Sequence, residues 1–98
     1  MAEKNSSIAE PLEEIISGTD NGLSNAAKVI LFNDEWHTFD EVINQIRKAT
    51  NCSSEKAEAL TWEVHSKGKA IVFEGDFLEC LRVSGILEEI SLHTQIEY

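Results

Sequence analysis

The chain has 98 residues, with 18 Asp and Glu against 8 Lys and Arg, giving a formal charge of −10. That length holds one small domain. The acidic balance argues against nucleic acid and against an anionic membrane surface, because both need a basic face on the protein. An apolar share of 42% is enough to build a core. No apolar stretch approaches the roughly 20 residues that a membrane-spanning helix requires. The first residues match neither a signal peptide nor a transit peptide. Cys52 and Cys80 form no CxxC pair and no metal spacing, so they read as reduced thiols of a cytoplasmic protein.

Residues 1–27 carry Glu3, Glu10, Glu13, Glu14 and Asp20 against Lys4, together with Pro11 and the polar run from Ser17 to Gly22. Such a stretch buries too little apolar surface to offset its ordering entropy, so a flexible acidic extension is expected. Ile8, Leu12, Ile15 and Ile16 could mark an amphipathic turn or two within it. The domain is expected to span residues 28–98. Val29-Ile30-Leu31-Phe32 predicts a buried strand, ended by Asn33-Asp34-Glu35. Thr38 and Glu41 have the spacing of a capping box, and Phe39, Val42, Ile43 and Ile46 share one helical face running to about Thr50.

Ser53 then caps a second helix with Ala57, Leu60, Thr61 and Val64 inward and His65 beside them, closed at Gly68. Ala70-Ile71-Val72-Phe73 predicts a second strand, and Gly75 the turn after it. Asp76 and Glu79 open a third helix, expected to bury some of Phe77, Leu78, Cys80 and Leu81 and to stop at Gly85. Ile90, Leu92, Thr94, Ile96 and Tyr98 alternate with polar residues, which predicts a half-buried final strand. The fold class is α+β: a β-α-α-β-α-β sandwich, with a three-stranded antiparallel sheet packed against three helices.

The acid-rich corner from Asn33 to Thr38 lies between a buried strand and a helix, where rigid elements fix loop side chains. Asp34 and Glu35 could ligate a hard cation, act as an acid/base pair, or receive a cationic group; the plainest reading is turn and cap residues. His65 reads as a packed, hydrogen-bonded side chain, and Trp36 and Trp62 as partly buried. His37 and His93 make no zinc spacing with His65, so no metal is expected. No GxSxG, phosphate loop or HExxH is present, and neither catalysis nor a cofactor is expected.

The run Lys28-Val-Ile-Leu-Phe-Asn33-Asp34-Glu35, then Thr38-Phe39-Asp40, Val42-Ile43, Lys56-Ala57 and Glu63-Val64-His65-Ser-Lys-Gly68-Lys69-Ala70, resembles the ClpS family over roughly residues 27–97. These are adaptors that deliver substrates to the Clp protease. The resemblance implies binding of N-degrons, protein N-termini that begin with Leu, Phe, Tyr or Trp, and docking on the N-terminal domain of a Clp-type AAA+ unfoldase. It places Asn33, Asp34, Glu35 and His65 at the α-amino group, and His37, Phe39, Val42, Thr61, Val64 and Leu92 around the side chain. It also implies a role for the N-terminal extension in delivery, and the chain is expected to be a monomer.

Four positions depart from the family pattern. Glu35 stands where many members have Asp, Phe39 where some have Met, Thr61 where a larger apolar residue is common, and His37 often where Thr occurs. Two other functions stay open at this level. One is a ribosomal-stalk-like module that binds translation factors, and the other is a small enzyme using Asp34, Glu35 and His65.

Overall fold

A computed structural model of the chain describes residues 26–98. The expected extension, including Ile8, Leu12, Ile15 and Ile16, lies outside the described residues except for Ala26 and Ala27. The elements run β1 (Ala27–Phe32), α1 (Phe39–Thr50), α2 (Ser54–Lys67), β2 (Lys69–Gly75), α3 (Phe77–Glu88) and β3 (Thr94–Glu97). This is the β-α-α-β-α-β order read from the sequence. The sheet is antiparallel with order β2-β1-β3, from Ala27 opposite Gly75 to Phe32 opposite Lys69 on one side of β1, and from Lys28 opposite Glu97 to Leu31 opposite Thr94 on the other.

Val29 and Leu31 of β1 and Ala70 and Val72 of β2 join Ile46, Ala57, Val64, Val83 and Leu87 from the helices in one buried core. Leu31, Ile46 and Leu87 are fully enclosed. Each contributes roughly 1.5–3 kcal/mol by leaving water. Ile30 points to the opposite face, yet its cross-strand neighbours Ile71 and Gln95 flank it and it is also buried.

The local signals that start the helices act as their chemistry dictates. Thr38 accepts from the Glu41 amide while the Glu41 carboxylate accepts from the Thr38 amide, a complete capping box. Ser53 accepts from Lys56 N–H, and Asp76 from Glu79 N–H. Asn51 closes α1 and Gly68 closes α2 in the left-handed conformation, with φ of 59° and 90°.

Two expectations need correction, and a third, the buried face of α3, holds only for Cys80 and in part for Phe77. Gly85 does not stop α3, which continues to Glu88. Its φ is not positive and it faces open space, so it costs the helix about 1 kcal/mol relative to alanine, a cost that burial of Leu87 two residues further on outweighs. The inward face of α3 is Cys80, Val83, Ser84 and Leu87, which leaves Leu78 75% exposed and Leu81 exposed as well. The final strand starts at Thr94 rather than Ile90, because the chain must first turn off α3, with Ser91 at φ 67°. The alternation of burial survives that turn, since Leu92 and Thr94 are both buried.

Both cysteines are free thiols. Among the described residues no helix is long and apolar enough to cross a membrane.

Candidate functional site

Two backbone hydrogen bonds assemble the site. Asn33 N–H donates to the Gly68 carbonyl at 2.9 Å, tying the end of β1 to the cap of α2. Phe32 N–H donates to the His93 carbonyl at 3.0 Å, tying the same strand end to the segment before β3. Asn33 thus lies against the last turn of α2, which carries His65, and beside the turn that carries Leu92. The left-handed bend at Gly68 turns the chain back from α2 into β2 and presents that carbonyl.

The loop of residues 33–38 is shaped by Asp34. Its Oδ1 accepts from the amides of Trp36 at 2.9 Å and His37 at 3.0 Å, the local turn that short acidic side chains favour. Its Oδ2 accepts from His37 Nδ1 at 2.8 Å. Burial works against the Asp34 charge, but these amide and ring hydrogen bonds outweigh it and hold the carboxyl below its ordinary range. The other ring nitrogen of His37, Nε2, lies 2.5 Å from the Ile90 carbonyl, across to the α3–β3 turn.

Between these elements lies a cavity of about 370 Å³, and all ten candidate residues line it. Thr61, Val64 and Leu92 are buried and Val42 half-buried, which gives the cavity an apolar interior. Asp34, His37 and Phe39 are half-buried, and Asn33, Glu35 and His65 are exposed to solvent. A second hollow, about 510 Å³, lies between the start of α2 and β2 and contains none of the candidate residues. Its charged lining is one lysine, Lys56, and one carboxylate, Glu74, so it has no convergent set of acceptors.

Several site features were not legible in the sequence. Leu31, Phe32 and Thr38 also line the cavity. His65 is not a packed, hydrogen-bonded core histidine. It is exposed, bonded to no other described residue, and held by edge-on contacts with Phe39 at 5.4 Å and Trp62 at 6.1 Å. Trp62 also packs edge-on against Phe39 at 4.6 Å, yet remains 55% exposed. Trp36, expected to be partly buried, is 86% exposed. The three-residue spacing of Trp62 and His65 was the available signal, since it puts them side by side on a helix.

The polar groups of the cavity divide into those committed within the fold and those left open. Both hydroxyls in the cavity are committed, Thr38 Oγ1 to the Glu41 amide and Thr61 Oγ1 as donor to the Ala57 carbonyl at 2.7 Å. Neither is paired with a histidine that could activate it. The side chains of Asn33, Glu35 and His65, by contrast, bond to no other described residue and offer an amide oxygen, a carboxylate and a ring nitrogen as acceptors. Among the described residues no three His, Cys, Asp or Glu side chains are grouped to hold a metal ion.

An apolar cavity with acceptors at its exposed edge, on a small β-α-α-β-α-β domain, defines a recognition module for a bulky apolar group that carries hydrogen-bond donors. The chain belongs to the ClpS family, ATP-dependent Clp protease adaptor proteins, whose model matches residues 24–95. It is 36% identical over 58 residues to human E3 ubiquitin-protein ligase UBR2, a match that covers 59% of this chain and 3% of the ligase. Mouse UBR2 is also 36% identical, over 78 residues, covering 80% of this chain and 4% of that protein. The chain therefore corresponds to a small part of these ligases. The fold is similar to that of Agrobacterium tumefaciens ClpS2 bound to L-phenylalaninamide, with a TM-score of 0.64 at 18% identity, over 74% of this chain and 94% of that one. The family match favours a protease adaptor over a ribosomal-stalk-like module or an acid/base enzyme.

Proposed function

We propose that the cavity binds the first residue of a substrate protein when that residue is Leu, Phe, Tyr or Trp, and that the adaptor passes the bound chain to a Clp-type AAA+ unfoldase. The observation that carries this reading is the meeting of an apolar interior (Val42, Thr61, Val64, Leu92) with acceptors of Asn33, Glu35 and His65 that no described residue occupies. A protein's first residue has matching chemistry: a side chain to bury and an ammonium with three donors. Asn33, Glu35 and neutral His65 accept those donors, while Asp34, whose two oxygens are taken up within the loop, contributes loop shape and negative potential. His37 and Phe39 complete the wall around the side chain. The phenylalanine amide bound to the similarly folded ClpS2 has both parts, a free amine and a bulky apolar side chain.

The magnitudes suit an adaptor that must release its cargo. Burying one Leu or Phe is worth roughly 1.5–3 kcal/mol, and each hydrogen bond to a charged group about 1.5–3 kcal/mol. One side chain and three such bonds at the top of these ranges sum to about −12 kcal/mol, and an association cost of about 4 kcal/mol leaves about −8 kcal/mol, so micromolar affinity is the ceiling. In this reading the adaptor acts as a monomer in the cytoplasm.

The test is a panel of peptides that differ only in their first residue. Leu, Phe, Tyr and Trp should bind with micromolar affinity, and Ala, Asp and Lys much more weakly; a flat profile rejects the reading. For delivery, removing residues 1–20 should leave peptide affinity intact and slow degradation in a reconstituted unfoldase–protease assay. Unchanged degradation would take the extension out of the mechanism.

A further inference from the structure

His37 stands between two acceptors. Nδ1 lies 2.8 Å from Asp34 Oδ2 and Nε2 lies 2.5 Å from the Ile90 carbonyl oxygen. Neither partner has a hydrogen to give: the carbonyl never does, and Asp34 is an ionised carboxylate already accepting from two backbone amides. A neutral imidazole carries one N–H and can satisfy only one side, leaving a bare nitrogen lone pair facing an oxygen on the other. Only the imidazolium donates in both directions. The ring is also sheltered, with 13% of the His37 side chain and 16% of the Asp34 side chain exposed, so solvent screens the pair little.

We infer that His37 is a positively charged clasp, donating through Nδ1 to Asp34 and through Nε2 to the Ile90 carbonyl, which positions the loop of residues 33–38 against the α3–β3 turn. That loop bears Asn33 and Glu35, and that turn leads into Leu92, so the clasp holds the amino-binding edge of the cavity against one wall of its interior. His37 is thus a positioning residue for the ligand proposed above, and its effect on affinity rests on that reading.

The surroundings favour the charged ring. The hydrogen bond to Ile90 raises its pKa, burial lowers it, and the bond and charge of Asp34, with the charge of Glu41 from the first turn of α1, raise it again, for a net rise. The α3–β3 turn faces the ring with the uncharged Ile90 carbonyl, and nearby Glu89 is held by Lys48 at 2.8 Å. Glu35 and His65 share the cavity lining. With a raised folded-state pKa, the clasp is intact below the ordinary histidine value of about 6.5 and is lost as pH climbs through the higher value in the folded protein. His37 must be charged to donate to both partners.

Ring nitrogen NMR on the labelled full chain tests the clasp without any ligand, with His37→Gln identifying the His37 signals. The His37 midpoint should lie above that of the same chain unfolded in urea, with both ring nitrogens protonated below it, and Asp34→Asn should lower it. A folded midpoint at or below the unfolded one overturns the proposal. The affinity readout compares wild type with His37→Gln, using one Phe-initiated peptide whose own amine titrates identically for both. His37→Gln should bind roughly three- to tenfold more weakly at mildly acid pH, and the ratio should shrink toward one as pH rises past the His37 midpoint. A ratio independent of pH would mean that His37 only fills space, and would overturn its positioning role. If wild type binds no peptide at all, the ligand assignment fails while the NMR midpoint still decides the clasp.

Discussion

Replacing His65 by alanine separates recognition from folding. The imidazole is exposed and bonds to no other described residue, so its removal opens no core cavity and orphans no partner. What the fold loses is its edge-on contact with Phe39 and Trp62, and stability should fall by less than about 1 kcal/mol. The ligand loses one acceptor for its ammonium. Hydrogen bonds to charged groups are worth about 1.5–3 kcal/mol, and the open position of His65 points to the lower half of that range, or roughly ten- to fiftyfold in affinity. Calorimetric titration with a Phe-initiated peptide reads the second quantity and urea unfolding the first. A His65→Phe variant keeps an aromatic ring against Phe39 without the acceptor, and should lose affinity like the alanine variant. The reasoning is refuted if His65→Ala costs about 2 kcal/mol or more of stability while the folded protein binds as tightly as before.

Asp34→Ala removes the acceptor of two loop amides and of His37 Nδ1, and should cost about 1–3 kcal/mol in urea unfolding at neutral pH. Because the Asp34 pKa is depressed in the fold, its charge-dependent contribution is full above the ordinary value of about 3.9 and fades as pH falls through the lower folded value. The gap between wild type and variant should accordingly narrow in acid, and a gap that widens there would contradict the assignment. Gly68→Ala meets no steric obstacle, but it forces a side chain onto a residue at φ 90°, for a cost of about 1–2 kcal/mol. It should weaken peptide binding as well, since Gly68 presents the carbonyl that fixes Asn33; equal stability of variant and wild type would show that the backbone relaxes freely there.

The parts of the fold that the sequence announced are those written in short-range chemistry. Thr38 with Glu41, Ser53, Asp76 and Gly68 each satisfy or end a helix terminus through neighbours three or four residues away, and each does so in the structure. The end of α3 departs from the local signal because glycine's intrinsic cost is small beside the long-range burial of Leu87, which no local rule registers. The last strand starts later than its pattern for a related reason: alternation reports which side of the chain is buried, and it runs through the turn at Ile90–Ser91 without any ladder.

For the site, all ten candidate residues line one cavity, and it was the resemblance, more than any spacing, that drew residues so far apart in the chain together. The exposure of His65 depends on its rotation about α2 relative to Ala57, Thr61 and Val64. One position to the side of that buried line was enough to change a core residue into an accessible acceptor. The bridge from His37 to Ile90 spans 53 residues of sequence, and only the folded chain reveals it.

The central claim is that a free α-amino group is recognised together with the side chain beside it. Titrating the full chain with one Phe-initiated peptide, and with the same peptide N-acetylated, tests that claim most directly. Acetylation leaves the phenyl ring intact and removes the charge and donors that Asn33, Glu35 and His65 are placed to accept. Micromolar binding of the free peptide, with the acetylated form weaker by at least about a hundredfold, is the predicted result. Equal affinity for the two would contradict the account.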